Sequence, residues 1–566
     1  MLAACASTPP AQVTLEEPPQ TASLEAAPGG IVTTADPRAT AAGMDILRRG
    51  GSATDAAIAV MLTLTVVEPQ SSGIGGGGFY VRGAPDGSVL TLDGRETAPM
   101  AAGEDWFLGE DGEPLGYREA VLSGLSVGVP GNIRLAAEAH RRHGRIGWRH
   151  LFQAAIFHAE QGFSITPRFR EFLERSKARA GGTPEGLALF YDERGEPLPV
   201  NAKVTNPALA QTMKAIAERG PDWFYDSALA TEIATTVSAN TPRDGAMTVR
   251  DIASYTAKER EAVCGGYRGY RVCGMGPPSS GATTVLGILG VLEPLDIAAM
   301  GPDSATFWHV FAEAQRLAYA DRGRYLADED FVSVPTAGLV DPDYLAERAA
   351  LVSTTARLET VEAGTPPGVV GAPAEGSGPP ESGTSHFAVL DGAGNAVSYT
   401  STIEGPFGSG LMAGGFYLNN ELTDFSFVPS VDGEPVANRV QGGKRPRSSM
   451  APTVIYAPDG SLFMAVGAAG GGTIPVQTAR AIVGAIDFGL DAQGALALPV
   501  LYSPGDRATV EEGSELEALV PALEALGHQV SARRLPLKAN AILCRSGPAS
   551  CEGAADPRSE GTALKR

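Results

Sequence analysis

The chain has 566 residues and a formal net charge of −21, a balance that does not supply the clustered Lys and Arg needed to neutralise nucleic-acid phosphates. Hydrophobic residues make up 43% of it, enough to bury a large core, which excludes disorder throughout and points to one large or two closely packed domains. The longest apolar stretch, Ala56 to Val67, is interrupted by Thr63 and Thr65 and is too short to span a bilayer.

Residues 1–29 are read as a remnant of an export signal followed by a disordered tether rich in Thr, Pro, Ala and Glu. Cys5 follows Leu2-Ala3-Ala4, which resembles a bacterial lipobox, and is taken as a lipidation site; only Met1 precedes that motif where a signal would carry charged and apolar segments. Folding is expected to begin near Gly30. Asp36-Pro37 predicts a helix start and Gly50-Gly51 its end, and Ser52 with Asp55 predicts a second helix that stops before Pro69. A hairpin follows: Phe79 to Arg82, a turn at Pro85-Asp86-Gly87, and Val89 to Asp93. Helices are expected to dominate from Ile133 to Val237, with Trp148, Phe152 and Phe157 in the core, and an amphipathic helix is expected from Phe307 to Tyr325.

From Ser353 to Gly383 the composition turns to Thr, Pro, Gly and Glu and predicts a flexible linker. Immediately after it the pattern becomes β: Thr384 to Leu390, a turn at Asp391-Gly392-Ala393-Gly394, and Asn395 to Thr402. A second hairpin pairs Thr453–Tyr456 with Leu462–Val466. Strands interleaved with helices on both sides of the linker predict a layered α/β architecture.

Four of the five cysteines fall into short-range pairs, Cys264 with Cys273 and Cys544 with Cys551, each flanking a turn. Such spacing suits two small disulfide loops, with free thiols as the alternative, and the pairs suggest an oxidising, extracytoplasmic compartment.

The glycine run Gly73–Gly78 precedes a strand, whereas a dinucleotide-binding loop follows one, so it is not read as a nucleotide site. His140, His143, His150 and His158 lack a metal-binding spacing, and neither a metal nor a cofactor is expected. Gly470-Gly471-Gly472 lies between a strand and the helix that Pro475 would start, a place where backbone N–H groups can hold an anion; a plain turn is the alternative. Antiparallel pairing about Ala393 sets Thr384 opposite Ser401 or Thr402, so two hydroxyls meet at the strand ends. Spacing by itself does not make Thr384 a nucleophile; its position directly after Gly383 and the linker draws attention to it.

Several segments together resemble the γ-glutamyltransferase family. They are GGSATDAAIA (Gly50 to Ala59), VEPQSSGIGGGG (Val67 to Gly78), DGRETAP (Asp93 to Pro99), GTSHFAV (Gly383 to Val389), LNNELTDFS (Leu418 to Ser426), KRPRSSMAPT (Lys444 to Thr453) and ADPRSEG (Ala555 to Gly561). The resemblance runs in order from about Gly30 to Gly561. It implies the four-layer αββα sandwich of the N-terminal-nucleophile hydrolases, made as one precursor. Self-cleavage between Gly383 and Thr384 would give a large fragment, 30–383, and a small one, 384–566, that remain together as a heterodimer.

The resemblance further implies that Thr384 is the nucleophile, its freed α-amine the base, Thr402 its hydrogen-bonding partner, and Gly470 and Gly471 the oxyanion hole. Arg95, aided by Ser448 and Ser449, would grip the donor's α-carboxylate, with Glu421 and Asp424 holding its α-ammonium. Glutathione and other γ-glutamyl compounds would be donors, and water, amino acids or dipeptides acceptors. Two departures stand out: Glu404 occupies a place where many members carry Asn, which adds a third acid toward the ammonium, and the segment from Phe425 to Lys444 is short and lacks Tyr. The rival readings are a β-lactam (glutaryl-cephalosporin) acylase of the same fold and a non-catalytic binding lipoprotein.

Overall fold

The computed structural model describes residues 29–243, 245–371, 373–376, 383–547 and 550–566; Cys5 and the tether lie outside them. The two main sheets take six strands from before residue 384: β1 (Ile31–Thr34), β2 (Gly77–Gly83), β3 (Val89–Asp93), β4 (Lys258–Arg260), β5 (Val263–Tyr267) and β6 (Tyr270–Gly274). They take seven from after it: β7 (Ser385–Leu390), β8 (Ala396–Thr402), β9 (Thr453–Tyr456), β10 (Leu462–Ala469), β11 (Lys538–Cys544), β12 (Cys551–Ala555) and β13 (Thr562–Lys565). They form two antiparallel sheets, ordered β13-β1-β7-β8-β2-β3-β4 and β12-β11-β10-β9-β6-β5. Both sheets draw strands from either side of residue 384. In particular, β1 lies between β7 and β13, so a cut there would leave one hydrogen-bonded sheet shared by two chains.

The sheets stack face to face, and helices cover their outer faces. On the seven-stranded sheet lie α1 (Pro37–Arg48), α2 (Ala53–Val67) and α3 (Asn132–His143). On the six-stranded sheet lie α4 (Gly281–Leu292) and α6 (Ile474–Ile486), with α5 (Ala305–Tyr325) packed on α4. The start signals act as their chemistry predicts: the Asp36 side chain accepts from Arg38 N, and Ser52 and Asp55 form a reciprocal capping box. Strand periodicity then assigns faces. On β7, Ala388 and Leu390 point into the core between the sheets, while Phe387 and Val389 point to the core under α1 and α2. Both disulfides are closed, each joining direct register partners in the outermost strand pair at one edge of the six-stranded sheet: Cys264–Cys273 across β5 and β6, Cys544–Cys551 across β11 and β12.

Three expectations change. Phe157 is 58% exposed and Trp148 only half-buried, leaving Phe152 as the core aromatic of the three. α5 is buried on nearly every side, because charges that periodicity marks as solvent-facing are paired inside, as in Glu313 with Arg316 at 2.8 Å. The described residues of 353–376 form no helix or strand, yet they are tied down by tertiary hydrogen bonds: Leu358 N–H to Glu313, Gly364 N–H to Asp321, and Ala374 N–H to the Pro435 carbonyl. Composition records the lack of regular structure but not the anchoring, which depends on partners distant in sequence.

Candidate active site

The hairpin of β7 and β8 builds the centre. Ser385 pairs with Ser401, so the next residues out, Thr384 and Thr402, face one another. The Thr384 hydroxyl donates to Thr402 Oγ1 at 3.1 Å, and the same oxygen accepts the Glu404 N–H at 2.8 Å. Ser401, the other residue the sequence left open, instead accepts from Asn132 Nδ2.

Thr384 is buried and its N–H donates to the Ser71 carbonyl at 3.0 Å. Its φ is +92°, a region that a β-branched side chain resists, so the bond before it is held under strain. The Gly383 carbonyl accepts the Gly470 N–H at 3.2 Å. The carbonyl that Thr384 would attack is therefore already polarised by the proposed oxyanion-hole donor. A Cβ on residue 383 would lie 1.6 Å from the Glu404 carbonyl oxygen, so close approach of the two backbones, rather than turn flexibility, requires glycine here.

A small cavity of about 10 Å³ joins Thr384, Thr402, Glu404, Gly471, Arg95, Glu421, Asp424 and Ser448. Arg95 is 1% exposed; its guanidinium donates to Glu421, to Asp424 and to the Pro446 and Arg447 carbonyls. Burial works against its charge, but the carboxylates of Glu421, Asp424 and Glu96 outweigh it and hold the guanidinium firmly protonated. The acids outnumber it: burial pushes Glu421 well above the usual carboxylate range, aided by Glu96, Asp424 and Glu404, and pushes Glu96 up to about 7. Glu404, Glu421 and Asp424 line this one cavity together with Arg95. Glu404 Oε2 accepts from Asn420 Nδ2 and, at 3.5 Å, from Tyr117. Ser449 does not line this cavity; its hydroxyl accepts from Arg322 at 2.6 Å.

Sequence reasoning missed Glu96, Asn420, Arg322 and the buried Lys538. Glu96 sits beside Arg95 in the DGRETAP segment, and adjacent opposite charges at the end of a buried strand were a usable signal. Lys538 opens the apolar strand β11 and bonds Glu68 at 3.0 Å and Ser385, the neighbour of Thr384, at 3.2 Å; nothing local marks that contact.

His386, one residue further along β7, is fully buried against Thr400 (2.8 Å), and burial lowers its pKa to about 3. It is neutral when folded but protonates near pH ~6.5 when unfolded, so its contribution is intact above about 6.5 and is lost as pH falls toward 3. The unfolding free-energy difference between a His386 chain and a His386→Gln chain is expected to shrink by about 1.4 kcal/mol per pH unit below that point. Urea titrations between pH 4 and 7 on the uncleaved Thr384→Ala background test this, and a difference that stays constant would refute it.

A family model described as gamma-glutamyltranspeptidase matches residues 39–565. The chain belongs to this family. Among family relatives, the glutathione hydrolase proenzyme of Escherichia coli (strain K12) is 35% identical over 94% of this chain and 90% of that protein. The acylase ACY 1 proenzyme of Pseudomonas sp. (strain V22) is 34% identical over 92% of this chain and 89% of that protein. The crystal structure of a cephalosporin acylase from Bacillus halodurans superimposes with a TM-score of 0.82 at 26% identity, covering 98% of each chain. The αββα layering described above is thus the gamma-glutamyltranspeptidase fold, and the paired threonines stand at its centre. Among the described residues no group of three or more His, Cys, Asp or Glu could hold a metal ion, and no helix is long and apolar enough to cross a membrane.

Proposed function

We propose that this chain is a glutathione hydrolase and γ-glutamyltransferase that matures by cutting itself between Gly383 and Thr384. The Thr384 hydroxyl attacks the Gly383 carbonyl while the Gly470 N–H holds the developing oxyanion. The C–N bond breaks, the hydroxyl's proton passes to the nitrogen, and the resulting ester is opened by water. Breaking that bond releases the strain at Thr384 and leaves its α-amine beside its own hydroxyl. That amine titrates near pH ~8, so a useful fraction is free to act as base.

The donor then enters as a zwitterion. Its α-carboxylate takes the Arg95 fork, its α-ammonium takes the acids that Arg95 releases, and Ser448 adds a hydroxyl, with Ser449 held behind by Arg322. The Glu421 and Asp424 carboxyls gathered on the Arg95 guanidinium, with Glu404 lining the same cavity, carry this reading. A glutaryl group, the donor of the rival acylase, lacks the ammonium and would offer nothing to the acids that its carboxylate displaces from Arg95. The disulfides support an extracytoplasmic compartment, with Cys5 as a lipid anchor.

The purified protein is expected to migrate as one species in a native gel and as two fragments after denaturation, the smaller beginning at Thr384. It should release the chromophore of a γ-glutamyl anilide, faster with glycylglycine. Faster release from a glutaryl anilide would favour the acylase, and one uncut, inactive chain would favour a binding protein.

A further inference from the structure

A buried ion pair that the chemistry above does not use stands beside Thr384. Glu68 caps the C-terminal end of α2, and the turn after it brings Ser71 back, its N–H donating to the Glu68 carbonyl at 2.9 Å. Lys538, at the start of β11 in the other sheet, reaches across to meet them. Its ammonium donates to the two Glu68 oxygens at 3.3 and 3.0 Å, to Ser71 Oγ at 3.3 Å and to Ser385 Oγ at 3.2 Å. Ser385 Oγ donates in turn to Glu68 at 2.7 Å. Both charged side chains are buried.

The two serines are the residues that hold the nucleophile's nitrogen. Ser71 supplies the carbonyl that accepts the Thr384 N–H, and Ser385 is the next residue along the chain. Once the bond before Thr384 is cut, that nitrogen is the α-amine; with one N–H on Ser71, its lone pair is left for its own hydroxyl. A lone buried carboxylate this close would draw a proton onto the amine and stop it acting as a base, and Lys538 cancels that charge. Packing alone does not call for such a pair, because apolar side chains fill the same space without the desolvation cost.

We infer that Lys538 and Glu68 are positioning residues for the Thr384 α-amine: through Ser71 and Ser385 they fix the direction of its lone pair, and by balancing each other's charge they keep it a free base. This rests on the proposed maturation and on the amine serving as base. As Thr384 Oγ bonds the γ-carbonyl carbon, the hydroxyl's proton passes to the amine, and from there to the leaving nitrogen as the C–N bond breaks.

Other charges surround the pair. Burial works against the Lys538 ammonium and Glu68 favours it, with Arg168 opposing and Asp36, itself bonded by Arg38, assisting. His386 on β7 is held neutral by burial. In the donor cavity Thr384 faces Arg95, Glu404, Glu421 and Asp424. A cleft on its other side adds Glu171, Arg175, Glu511, Glu512, Arg534 and Arg558. All of these are common to the variants compared below, so a difference between variants reports the pair.

The test is the acid limb of kcat/KM for a γ-glutamyl anilide on self-cleaved protein, which reports deprotonation of the free enzyme's base. Lys538→Met leaves Glu68 unbalanced, so the limb is expected to move up by about one pH unit. Glu68→Gln/Lys538→Met, neutral at both positions, is expected to bring it back. A merely structural pair would lower the rate at every pH without moving the limb, and the second change would not repair the first. A limb that stays in place in Lys538→Met, or that remains displaced in the double variant, overturns the inference. Should Lys538→Met fail to fold or cleave, Glu68→Gln replaces it with a limb expected to move down, and an unmoved limb again overturns the inference. If cleaved protein releases no chromophore, the donor reading fails by itself. The amine is then titrated through the pH dependence of its acetylation by acetic anhydride, read by mass on the first peptide of the small fragment; the same shifts uphold the inference, and equal titration in all variants overturns it. A wild-type chain that stays uncut overturns the maturation reading and this inference with it.

Discussion

Thr384→Ala is expected to remain a single uncut chain and to lose at least about four orders of magnitude in γ-glutamyl release, because under the proposed function one hydroxyl would serve both maturation and turnover. The surroundings would persist without it. Ser71 would still accept the backbone N–H and Gly470 would still polarise the Gly383 carbonyl, so the variant should fold and present an intact but inert site. Thr384→Ser keeps the hydroxyl and should cut more slowly, since an unbranched residue bears a φ of +92° with less strain to release. Denaturing gels and N-terminal sequencing follow both variants. A Thr384→Ala chain that cleaves at residue 384, or turns over at the wild-type rate, would place the nucleophile elsewhere.

Arg95→Ala is expected to cut itself and yet lose about 3 kcal/mol of transition-state stabilisation on γ-glutamyl donors, roughly two orders of magnitude in kcat/KM. Stability should fall as well, because the change leaves Glu421 and Asp424 buried without their cation and frees the Pro446 and Arg447 carbonyls. Arg95→Lys separates the two effects: it restores charge without the two-pronged fork, so it should recover more stability than activity. Asp424→Asn should shift preference from γ-glutamyl toward glutaryl donors. Wild-type kinetics in both Arg95→Ala and Asp424→Asn would refute the clamp.

What could be read beforehand followed from how local each determinant is. The caps at Asp36 and Ser52 depend on residues a few positions away and the Thr384–Thr402 pair on two strands joined by one tight turn, 18 positions apart, and all three stand where their chemistry puts them. The Arg95, Glu421 and Asp424 cluster spans more than 300 positions and was accessible only through a family resemblance. Arg322 behind Ser449 and Lys538 below Ser385 carried no marker at all, for each lies on an element whose pattern is fully explained by packing. The anchored stretch from 353 to 376 shows the converse: a composition too polar to build a core can still be fastened by carboxylates and carbonyls that another part of the chain supplies.

The placing of the two disulfides decides where the six-stranded sheet can open. Sheets ordinarily fray from their outermost strands, which have neighbours on one side only and the least to lose by leaving. Here β5 is covalently joined to β6, and β12 to β11, at residues that already face one another. Neither outer strand can peel away alone; each can depart only as a closed ribbon, carrying its inner partner with it. The seams left to part first are β6 from β9 and β11 from β10, and β9, β10 and β11 are buried along nearly their whole length. The sheet that carries Gly470 just after β10 is in this way fastened at both of its edges, and it can open only by parting strands that are themselves buried.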